Sequence, residues 1–598
     1  MCKCACVFFS RELFNRLTAY IFYALFRTLR RLDTANFRLP NRRVAAVPDW
    51  SAFPVLLPLI QGEFMPRPQK AVRAFLTDFR TLFGLGLVVW WAVLRSPLFY
   101  IDDVVRVYSH RLIDEGLHGR LLTDIFIRFF YDGVFTDASP LTQVIALACL
   151  ACAGVIAHRA FFGRRKGYTV LLASPLLVFP YYPAFLSFRF DAPFMALALL
   201  LCVAPFAMER KKGHVFFGFG TVCLLCSLML YQVFYGVYAT VACFLLLFAA
   251  ARGHTPRRVL RRAGKYLAPM LASCLCYLPI YVLARKSMRG HTQGIEGTLS
   301  YVGHHSTLPP YTELFATLAT NIKIYFLSIY NHWSAGLPTT LLALALLLLL
   351  LAAGKSLVGR MSGAAFPGRA ASLGGAAVPV GVLLILVLLA LASIAPYGLQ
   401  LLLRNPTWHI RTFCGTGAFA ACLLLAAGAL ARGRVLPWAL AGTVSVYLLW
   451  CGLFLSSIGN LQRDQYNHDQ LVWRPLLADV EKLAHEQGIT SFGSTGETSR
   501  TPTAMDLLAK YSFIGELVPK SSLGWCIAAL PSSLPVRYIY PLHRDMGALN
   551  AGEVLAQRLS YTIRRLGPHA AVIMLHQPQQ TTIDILRGGK TLDESFSK

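Results

Sequence analysis

The chain has 598 residues, of which 56% are hydrophobic and only 14% are charged, and its mean hydropathy is +0.52. This composition excludes an ordinary soluble domain and is typical of a polytopic membrane protein. The net charge of +28 does not indicate a nucleic-acid partner, because the basic residues form short clusters between apolar runs, as the positive-inside rule predicts.

Residues 1–79 form a basic segment that we expect in the cytoplasm. Its Cys2, Cys4 and Cys6 tract is followed by no His or Cys pair at zinc-finger spacing, so a metal there is not predicted. Because residues 1–64 contain no spanning helix, we favour Met65 as the true start. If the segment is translated, residues 13–32 fit a basic amphipathic helix on the membrane surface. Most of the 15 cysteines lie in apolar runs, where cysteine behaves as a small hydrophobe, and they imply no disulfides.

A membrane domain follows over residues 80–456. Since a spanning helix needs about 20 apolar residues, we predict eleven spans. Short basic loops such as residues 252–265 mark the cytoplasmic face, so residues 99–140 form a large first outer loop. The spans begin near Thr81, Leu141, Tyr168, Ala192, Val215, Phe234, Leu267, Leu337, Ala376, Thr412 and Leu436.

An odd number of spans places residues 457–598 outside, as a small α/β domain. Residues 473–487 have helical apolar spacing, and residues 570–575 are a β-branched, apolar run of strand type. The polar residues within 311–330 predict an interfacial helix in an outer loop. A twelfth span at this position would instead move the last domain inside.

The first outer loop begins with two adjacent carboxylates, Asp102 and Asp103, followed by Arg106. Ionisable residues at the edge of the hydrocarbon are costly, which makes them functional candidates. Between residues 103 and 130 the apolar residues recur at three- and four-residue steps, broken at Gly116 and Gly119. This pattern predicts two short helices on the membrane surface.

The same outer layer should receive further charged and polar residues from the loop between the third and fourth spans, Arg189 and Asp191, and from the end of the fifth span, Gln232. A carboxylate can take a proton from a hydroxyl, and arginines bind phosphate through paired hydrogen bonds. Together they fit transfer from a lipid-linked phosphate donor.

Structural readings of these residues stay open beside the functional one. The paired acids could cap a helix in solvent, Arg106 and Arg120 could extend from interfacial helices to water, and Arg189 with Asp191 could close a tight loop. Adjacent histidines such as His304 and His305 do not easily bind one ion from one helix face, so no metal site is predicted.

Several motifs resemble the bacterial type II glucosyltransferase family, which includes phage-encoded enzymes that convert O-antigen serotypes. The resemblance covers roughly residues 82–232, and Val104 departs from the aromatic residue that often follows the paired acids. The motifs are Tyr100-x-Asp102-Asp103-x-x-Arg106, Gly119-Arg120-x-Leu122, Asp137-x-Ser139-Pro140-Leu141 and Phe188-Arg189-Phe190-Asp191-x-Pro193.

The resemblance implies an all-α, GT-C-like membrane fold in the bacterial inner membrane with its active site facing the periplasm. Such an enzyme takes glucose, or another hexose, from a polyprenyl phosphate sugar such as undecaprenyl phosphate glucose. It transfers the sugar to O-antigen, another cell-surface polysaccharide or a lipid-linked oligosaccharide. No cofactor is implied. The alternative is a transporter or flippase for lipid-linked sugars, which should have charges at the membrane midplane, broken helices and internal repeats.

The resemblance also implies roles for individual residues. Either Asp102 or Asp103 would be the general base, in a displacement that inverts the sugar carbon. No metal is expected, because arginines can meet the charge of a monophosphate leaving group. The donor phosphate would be bound by Arg106, Arg120 and Arg189, and the sugar would be bound or oriented by Asp191, Asp137 and Gln232.

Overall fold

A computed structural model describes residues 68–109, 118–131, 136–163, 168–289, 304, 307–333, 337–361, 377–431, 433–520, 537–538 and 552–576. Most of the predicted basic N-terminal segment, with its cysteine tract, surface helix and Met65, lies outside these residues, as does His305. The statements below concern the described residues.

The described residues are mostly helical. The first helix, α1, covers Pro68–Leu94, and the predicted pair of short helices follows as α2 (Asp102–Ser109) and α3 (Leu121–Tyr131). This pair confirms the two short helices expected from the apolar spacing between residues 103 and 130, while their place on the outer membrane surface stays a prediction. The helices after it are α4 (Leu141–Phe162), α5 (Pro183–Leu186), α6 (Ala192–Val203), α7 (Gly213–Leu230), α8 (Tyr235–Ala251), α9 (Pro256–Arg289), α10 (Leu314–Trp333), α11 (Leu337–Met361), α12 (Ala377–Ile394), α13 (Thr416–Leu430) and α14 (Val435–Gln487).

Seven helices in the described part of the chain are long and apolar enough to cross a membrane, and two shorter apolar helices accompany them. A multi-pass membrane protein is therefore supported, whereas the predicted count of eleven spans is not confirmed. The seven are Leu141–Phe162, Gly213–Leu230, Gln232–Ala251, Pro256–Leu283, Val380–Leu402, Ile410–Leu430 and Val435–Gln487.

The span predicted from Tyr168 is not one continuous helix. A 3-10 helix covers Tyr168–Leu176, and the four-residue α5 begins only at Pro183. Proline explains the interruption, because it lacks the amide hydrogen that an α-helix needs in its interior, and Pro175, Pro180 and Pro183 all fall in this segment. The short helix α5 ends three residues before Arg189.

Helix α8 lies at the centre of the membrane domain. In the apolar window of the span that contains it, 89% of the residues are buried, against 17% for the span in α9. Within a bilayer the lipid is as apolar as the helices, so their association depends on close packing. Phe185, Tyr235 and Phe244 are fully buried in this core.

The C-terminal region contains the predicted α/β unit. Five strands, β1 (Ser491–Thr495), β2 (Arg537–Tyr538), β3 (Val554–Gln557), β4 (Tyr561–Gly567) and β5 (Ala570–Leu575), form a sheet in the order β2-β1-β5-β4-β3. β1 is parallel to β2 and β5, whereas β3, β4 and β5 pair antiparallel. The strand predicted at residues 570–575 is confirmed as β5.

The sheet packs on the second half of α14. Trp473, Leu476 and Val480 of that helix are buried in one cluster with Phe492 and Ile573. Because α14 runs unbroken from Val435 to Gln487, it passes through residue 457, and the domain division predicted there stays a prediction.

Two short helices, α15 (Pro502–Lys510) and α16 (Ile514–Leu517), follow β1. Phe513, Ile514 and Leu517 are buried in the same hydrophobic cluster as the membrane helices. This segment therefore connects the C-terminal region to the membrane domain.

Close packing of α1 against α14 depends on Gly459, where a Cβ would overlap with the backbone of Ala92 and Val93. We expect Gly459→Ala to push the helices apart and to lower stability by about 1–3 kcal/mol, as overpacking does. Gly452, two turns earlier on the same helix, has no neighbour within 4 Å of a Cβ, so Gly452→Ala is the matched control. Thermal unfolding of the purified chain checks both, and equal melting temperatures would contradict the packing argument.

Candidate functional site

The paired acids follow a strained residue. Ile101 has a φ of +46°, a conformation that β-branched residues rarely adopt and that costs on the order of 1–3 kcal/mol. Asp102 and Asp103 then form the first turn of α2, with the Asp103 amide donating to the Tyr100 carbonyl at 3.1 Å. Negative charge is favourable at a helix N-terminus, and the turn separates the two carboxylates into different surroundings.

The Asp103 side chain is fully buried. Its Oδ2 accepts a hydrogen bond from the Arg189 amide at 2.6 Å, and its Oδ1 lies 3.8 Å from Arg106 Nη1. Burial raises the pKa of Asp103 well above its usual value; Arg106 opposes this rise and Asp191 adds to it. Asp103 thus joins the start of α2 to the Arg189 turn.

Two predicted phosphate-binding arginines lie inside the protein. Arg106 is 1% exposed, and its Nη1 lies 2.7 Å from Asp191 Oδ2. Arg189 forms an ion pair with Asp137, donates to the Ser96 carbonyl at 2.8 Å and lies 4.4 Å from the centre of the Phe99 ring.

These contacts give the predicted residues specific partners. Asp191 pairs with Arg106, and Arg189 pairs with Asp137. The tight-loop interpretation had instead paired Arg189 with Asp191. Breaking the deeply buried Arg106–Asp191 pair would leave a charge in a poorly solvated place, so this pair fixes the local geometry, whereas the Asp137 side chain that pairs with Arg189 is 28% exposed.

Asp102 differs from its neighbour because its side chain is only partly buried. A partly exposed carboxylate can meet a substrate from the solvent side, whereas Asp103 is enclosed. The two acids, which the sequence analysis could not distinguish, therefore have different surroundings.

Arg120 is positioned by an aromatic ring and not by the carboxylates that surround Arg106 and Arg189. Its guanidinium is 4.7 Å from the centre of the Tyr231 ring, and it is partly exposed. The preceding Gly119 has a φ of +79°, and a Cβ there would overlap with the Tyr277 hydroxyl. Glycine is therefore required for this turn.

Gln232 holds the Arg120 turn in place. Its Nε2 donates to the His118 carbonyl at 3.0 Å and to the Tyr277 hydroxyl at 2.8 Å, and that hydroxyl donates to the Gly119 carbonyl at 3.1 Å. Gln232, which was predicted to bind or orient the sugar, thus contacts the backbone of the turn that carries Arg120.

Two tyrosines, Tyr131 and Tyr231, lie near the charged residues described above. Burial and the nearby carboxylates, first Asp191 and then Asp103, raise the pKa of Tyr131 to about 12, so its phenol is neutral at pH 7. Burial also raises the pKa of Tyr231, which lies within electrostatic range of Arg120 and Asp191. Asp191, Asp103 and Arg120 are therefore parts of one region.

Three further residues belong to this region: Tyr100, known from the sequence only as the first residue of a motif, and Arg411 and Glu516, which no motif contains. The Tyr100 hydroxyl donates to the Glu516 carbonyl at 2.6 Å, and Arg411 is an electrostatic neighbour of Tyr100 and Tyr231. For Arg411 the sequence offered one signal, its position beside a predicted span start, where a charge is costly.

An aromatic, apolar cavity of about 480 Å³ lies among α10, α11, α13 and α14. It is adjacent to the region just described, because Tyr181 in its wall packs on Phe413 and Phe513 at 6.1 and 5.3 Å between ring centres. The wall includes Tyr181, Tyr325, Trp333, Phe419, Leu423 and Tyr447.

Comparison with known proteins gives one family and one relative. The family model described as "Glucosyl transferase GtrII" matches residues 91–422, more than half of the chain. An uncharacterized 55.3 kDa protein in the gtrB 5′ region of Salmonella phage P22 is 22% identical over 263 residues, which are 42% of this chain and 53% of that protein. The chain thus spans about half the length of this relative. No solved structure matches.

The burial of Asp103 predicts a pH-dependent stability. Because its folded-state pKa is raised, this carboxyl costs no stability below its ordinary pKa of about 4, and the cost grows as the pH rises above that value. Asparagine resembles the neutral carboxyl and can still accept the Arg189 amide. We therefore expect Asp103→Asn to melt at a higher temperature than the wild type at pH 7, with a smaller difference at pH 5.

The comparison variant is Asp103→Leu, which cannot accept the Arg189 amide. Leaving a buried donor unsatisfied costs about 1–3 kcal/mol, so this variant should melt below the wild type at both pH values. An Asp103→Asn protein that is less stable than the wild type at pH 7 would contradict the argument.

Proposed function

Since the chain belongs to the GtrII glucosyl transferase family, we propose that it is a membrane glycosyltransferase that uses a polyprenyl phosphate sugar as donor. It transfers the glucosyl or other hexosyl unit to O-antigen or another cell-surface polysaccharide, or to its lipid-linked precursor. The apolar helices suit a lipid-linked donor, and the short basic loops support an inner-membrane location with the reaction on the periplasmic face.

The difference between the two paired acids is the observation that carries this proposal. Asp102 is partly exposed at the start of α2, while Asp103 beside it is enclosed and bonded to the Arg189 amide. A general base must reach the proton that it removes. We therefore assign the base to Asp102 and a positioning role to Asp103.

The proposed reaction is one displacement. Asp102 takes the proton of an acceptor hydroxyl as the hydroxyl oxygen bonds to the anomeric carbon of the donor sugar. The bond from that carbon to the phosphate oxygen breaks, and its electron pair leaves with the polyprenyl phosphate. Attack opposite the leaving group inverts the anomeric carbon, and Asp102 later releases its proton to water. In this proposal an arginine, rather than a metal ion, meets the charge of the leaving monophosphate.

Arg120 is the best candidate for contact with the leaving phosphate. Its guanidinium is partly exposed and stacked on Tyr231, and a guanidinium binds phosphate through paired hydrogen bonds. Arg106 and Arg189 are ion-paired within the protein to Asp191 and Asp137. We therefore assign them to positioning rather than to the donor.

The cavity beside Tyr181 suits the lipid part of the donor. Its wall is aromatic and aliphatic, which favours an isoprenoid chain over a sugar, because an unpaired hydroxyl in apolar surroundings is costly. A donor bound there would extend its phosphate towards the charged region.

The first test replaces the base. Asp102→Asn keeps the shape but removes the proton acceptor, so we expect hexose transfer to fall on the order of 10²- to 10⁴-fold at unchanged protein level. Asp464→Asn, at an exposed position on α14, is the matched control and should be fully active. Membranes containing the chain are supplied with polyprenyl phosphate glucose, and the hexose gained by the polysaccharide is measured by mass. Full activity of Asp102→Asn would remove Asp102 from the base role.

The second test concerns the donor phosphate. Arg120→Ala should raise the KM for the donor about 10- to 100-fold, as the loss of hydrogen bonds to a charged group does. Arg128→Ala removes a half-exposed arginine that pairs with Asp124 one helical turn away and should leave the KM unchanged. The same donor KM in both variants would exclude Arg120 from phosphate binding.

A further inference from the structure

Residues 511–517, which include the short helix α16, contact both the turn that carries the paired acids and the wall of the aromatic cavity. On one side the Glu516 carbonyl accepts the Tyr100 hydroxyl at 2.6 Å. On the other side the Phe513 ring packs on the ring of Tyr181 in the cavity wall, with 5.3 Å between the ring centres. One short segment therefore contacts both parts of the proposed site.

The turn that carries the paired acids depends on support from its surroundings. Ile101 has a φ of +46°, and a strained residue keeps such a conformation only where neighbouring contacts fix the chain around it. After Ile101, the turn is fixed by the fully buried Asp103. Before it, Tyr100 is 2% exposed, and its hydroxyl bonds to the Glu516 carbonyl. Asp102 lies between these two anchors, so the second anchor helps to set its position.

The segment is itself held from several directions. Phe513 and Leu517 are buried in the same hydrophobic cluster as the membrane helices. Gln462 of α14 donates to the Leu517 carbonyl at 2.9 Å, and the Glu516 carboxylate accepts the Ile410 amide at 2.6 Å. The position of the segment is therefore set by α14, by the membrane core and by the backbone at Ile410.

The separation between the cavity and the acids matters for the proposed reaction. A donor whose isoprenoid chain lies in the cavity presents its sugar to the acids only when the two are held at the right distance. A displacement of about 1 Å between reacting groups can lower turnover on the order of 10²-fold. A segment in contact with both parts holds that distance.

We propose that residues 511–517 are a positioning element that holds the paired acids and the donor cavity at a fixed separation. Tyr100 positions Asp102 through its bond to this segment, and Phe513 positions the cavity wall. This inference rests on the proposed function for the identity of the donor. The family match ends at residue 422, so the positioning element lies in a part of the chain beyond that match.

Tyr100→Phe tests the contact with the acids. The change removes the hydroxyl that bonds to Glu516 and keeps the ring, so we expect kcat for hexose transfer to fall on the order of 10- to 10²-fold. The cavity is unchanged in this variant. The donor KM should therefore equal the wild-type value, as should the binding of polyprenyl phosphate alone, which is followed by the melting temperature of the purified full chain.

Tyr238→Phe is the matched control. The hydroxyl of Tyr238 in α8 is also buried and donates to a backbone carbonyl, that of Tyr266 in α9, at 2.8 Å. Tyr266 lies ~16 Å along the helix from Tyr277, which contacts the turn of Arg120. The two variants should lose similar stability, but Tyr238→Phe should keep the wild-type kcat. Equal kcat in the two variants would overturn the positioning role of Tyr100.

The Glu516 side chain provides a second route to the same contact. Glu516→Ala releases α16 from the Ile410 amide and should lower kcat in the same direction as Tyr100→Phe, with the donor KM unchanged. Glu516→Gln retains an oxygen that can accept that amide, so it should restore nearly the wild-type kcat. Wild-type turnover in Glu516→Ala, or an equal loss in both variants, would contradict a positioning role for the segment.

Phe513→Leu tests the contact with the cavity. The Phe513 ring also lies 4.8 Å from the Trp333 ring, so the change removes an aromatic neighbour from both Tyr181 and Trp333. We expect the donor KM to rise about 2- to 10-fold, as the loss of an aromatic pair does, with little change in kcat. Binding of polyprenyl phosphate alone should weaken by a similar factor.

Phe492→Leu, at a fully buried position in β1, is the control and should change neither the donor KM nor the lipid binding. If Phe513→Leu reduces the amount of folded protein, Phe513→Met keeps more of the side-chain volume and should give the same rise in KM. Wild-type KM and lipid binding in the folded variant would overturn the role of Phe513.

Failure of the proposed function gives a different result. A folded wild-type chain that transfers no hexose would refute the transferase, while its binding of polyprenyl phosphate would still respond to Phe513→Leu. Active transfer that none of these variants changes would refute this inference alone.

Discussion

The buried Asp103 carboxyl is the contact on which the rest of the charged region depends. One of its oxygens accepts the Arg189 amide, and the other faces Arg106, which pairs with Asp191. Two separate stretches of chain therefore meet at one enclosed carboxyl, and a third joins them through the ion pair of Arg189 with Asp137. Such a group is expensive to bury, and its partners have little freedom to move once it is in place.

This constraint separates residues that look equivalent in sequence. The two acids of the pair differ in exposure because one faces inward from the first turn of α2 and the other does not. The arginines divide in the same way: Arg106 and Arg189 lie among carboxylates, whereas Arg120 lies on a tyrosine ring. Residues of the same type therefore differ in their burial and in their charged or aromatic partners.

Local pattern predicted much of the architecture and of the charged set. The three- and four-residue spacing predicted α2 and α3, and the apolar run at residues 570–575 predicted β5, because both signals are contained in a few neighbouring residues. Prolines broke the span expected from Tyr168 despite its hydropathy. The contact of Glu516 could not be predicted from the sequence, because its bond to Tyr100 joins residues 416 positions apart. Sequence periodicity indicates only contacts between near neighbours in the chain.

The unbroken helix α14 has a further consequence for the C-terminal sheet. At 1.5 Å per residue, its 53 residues extend about 80 Å, and a hydrocarbon core is only about 30 Å thick. More than half of the helix therefore projects beyond the lipid, and the sheet is built on that projecting part. The length of the helix therefore sets the distance of the sheet from the membrane. Any insertion within the helix would both shift and rotate the sheet.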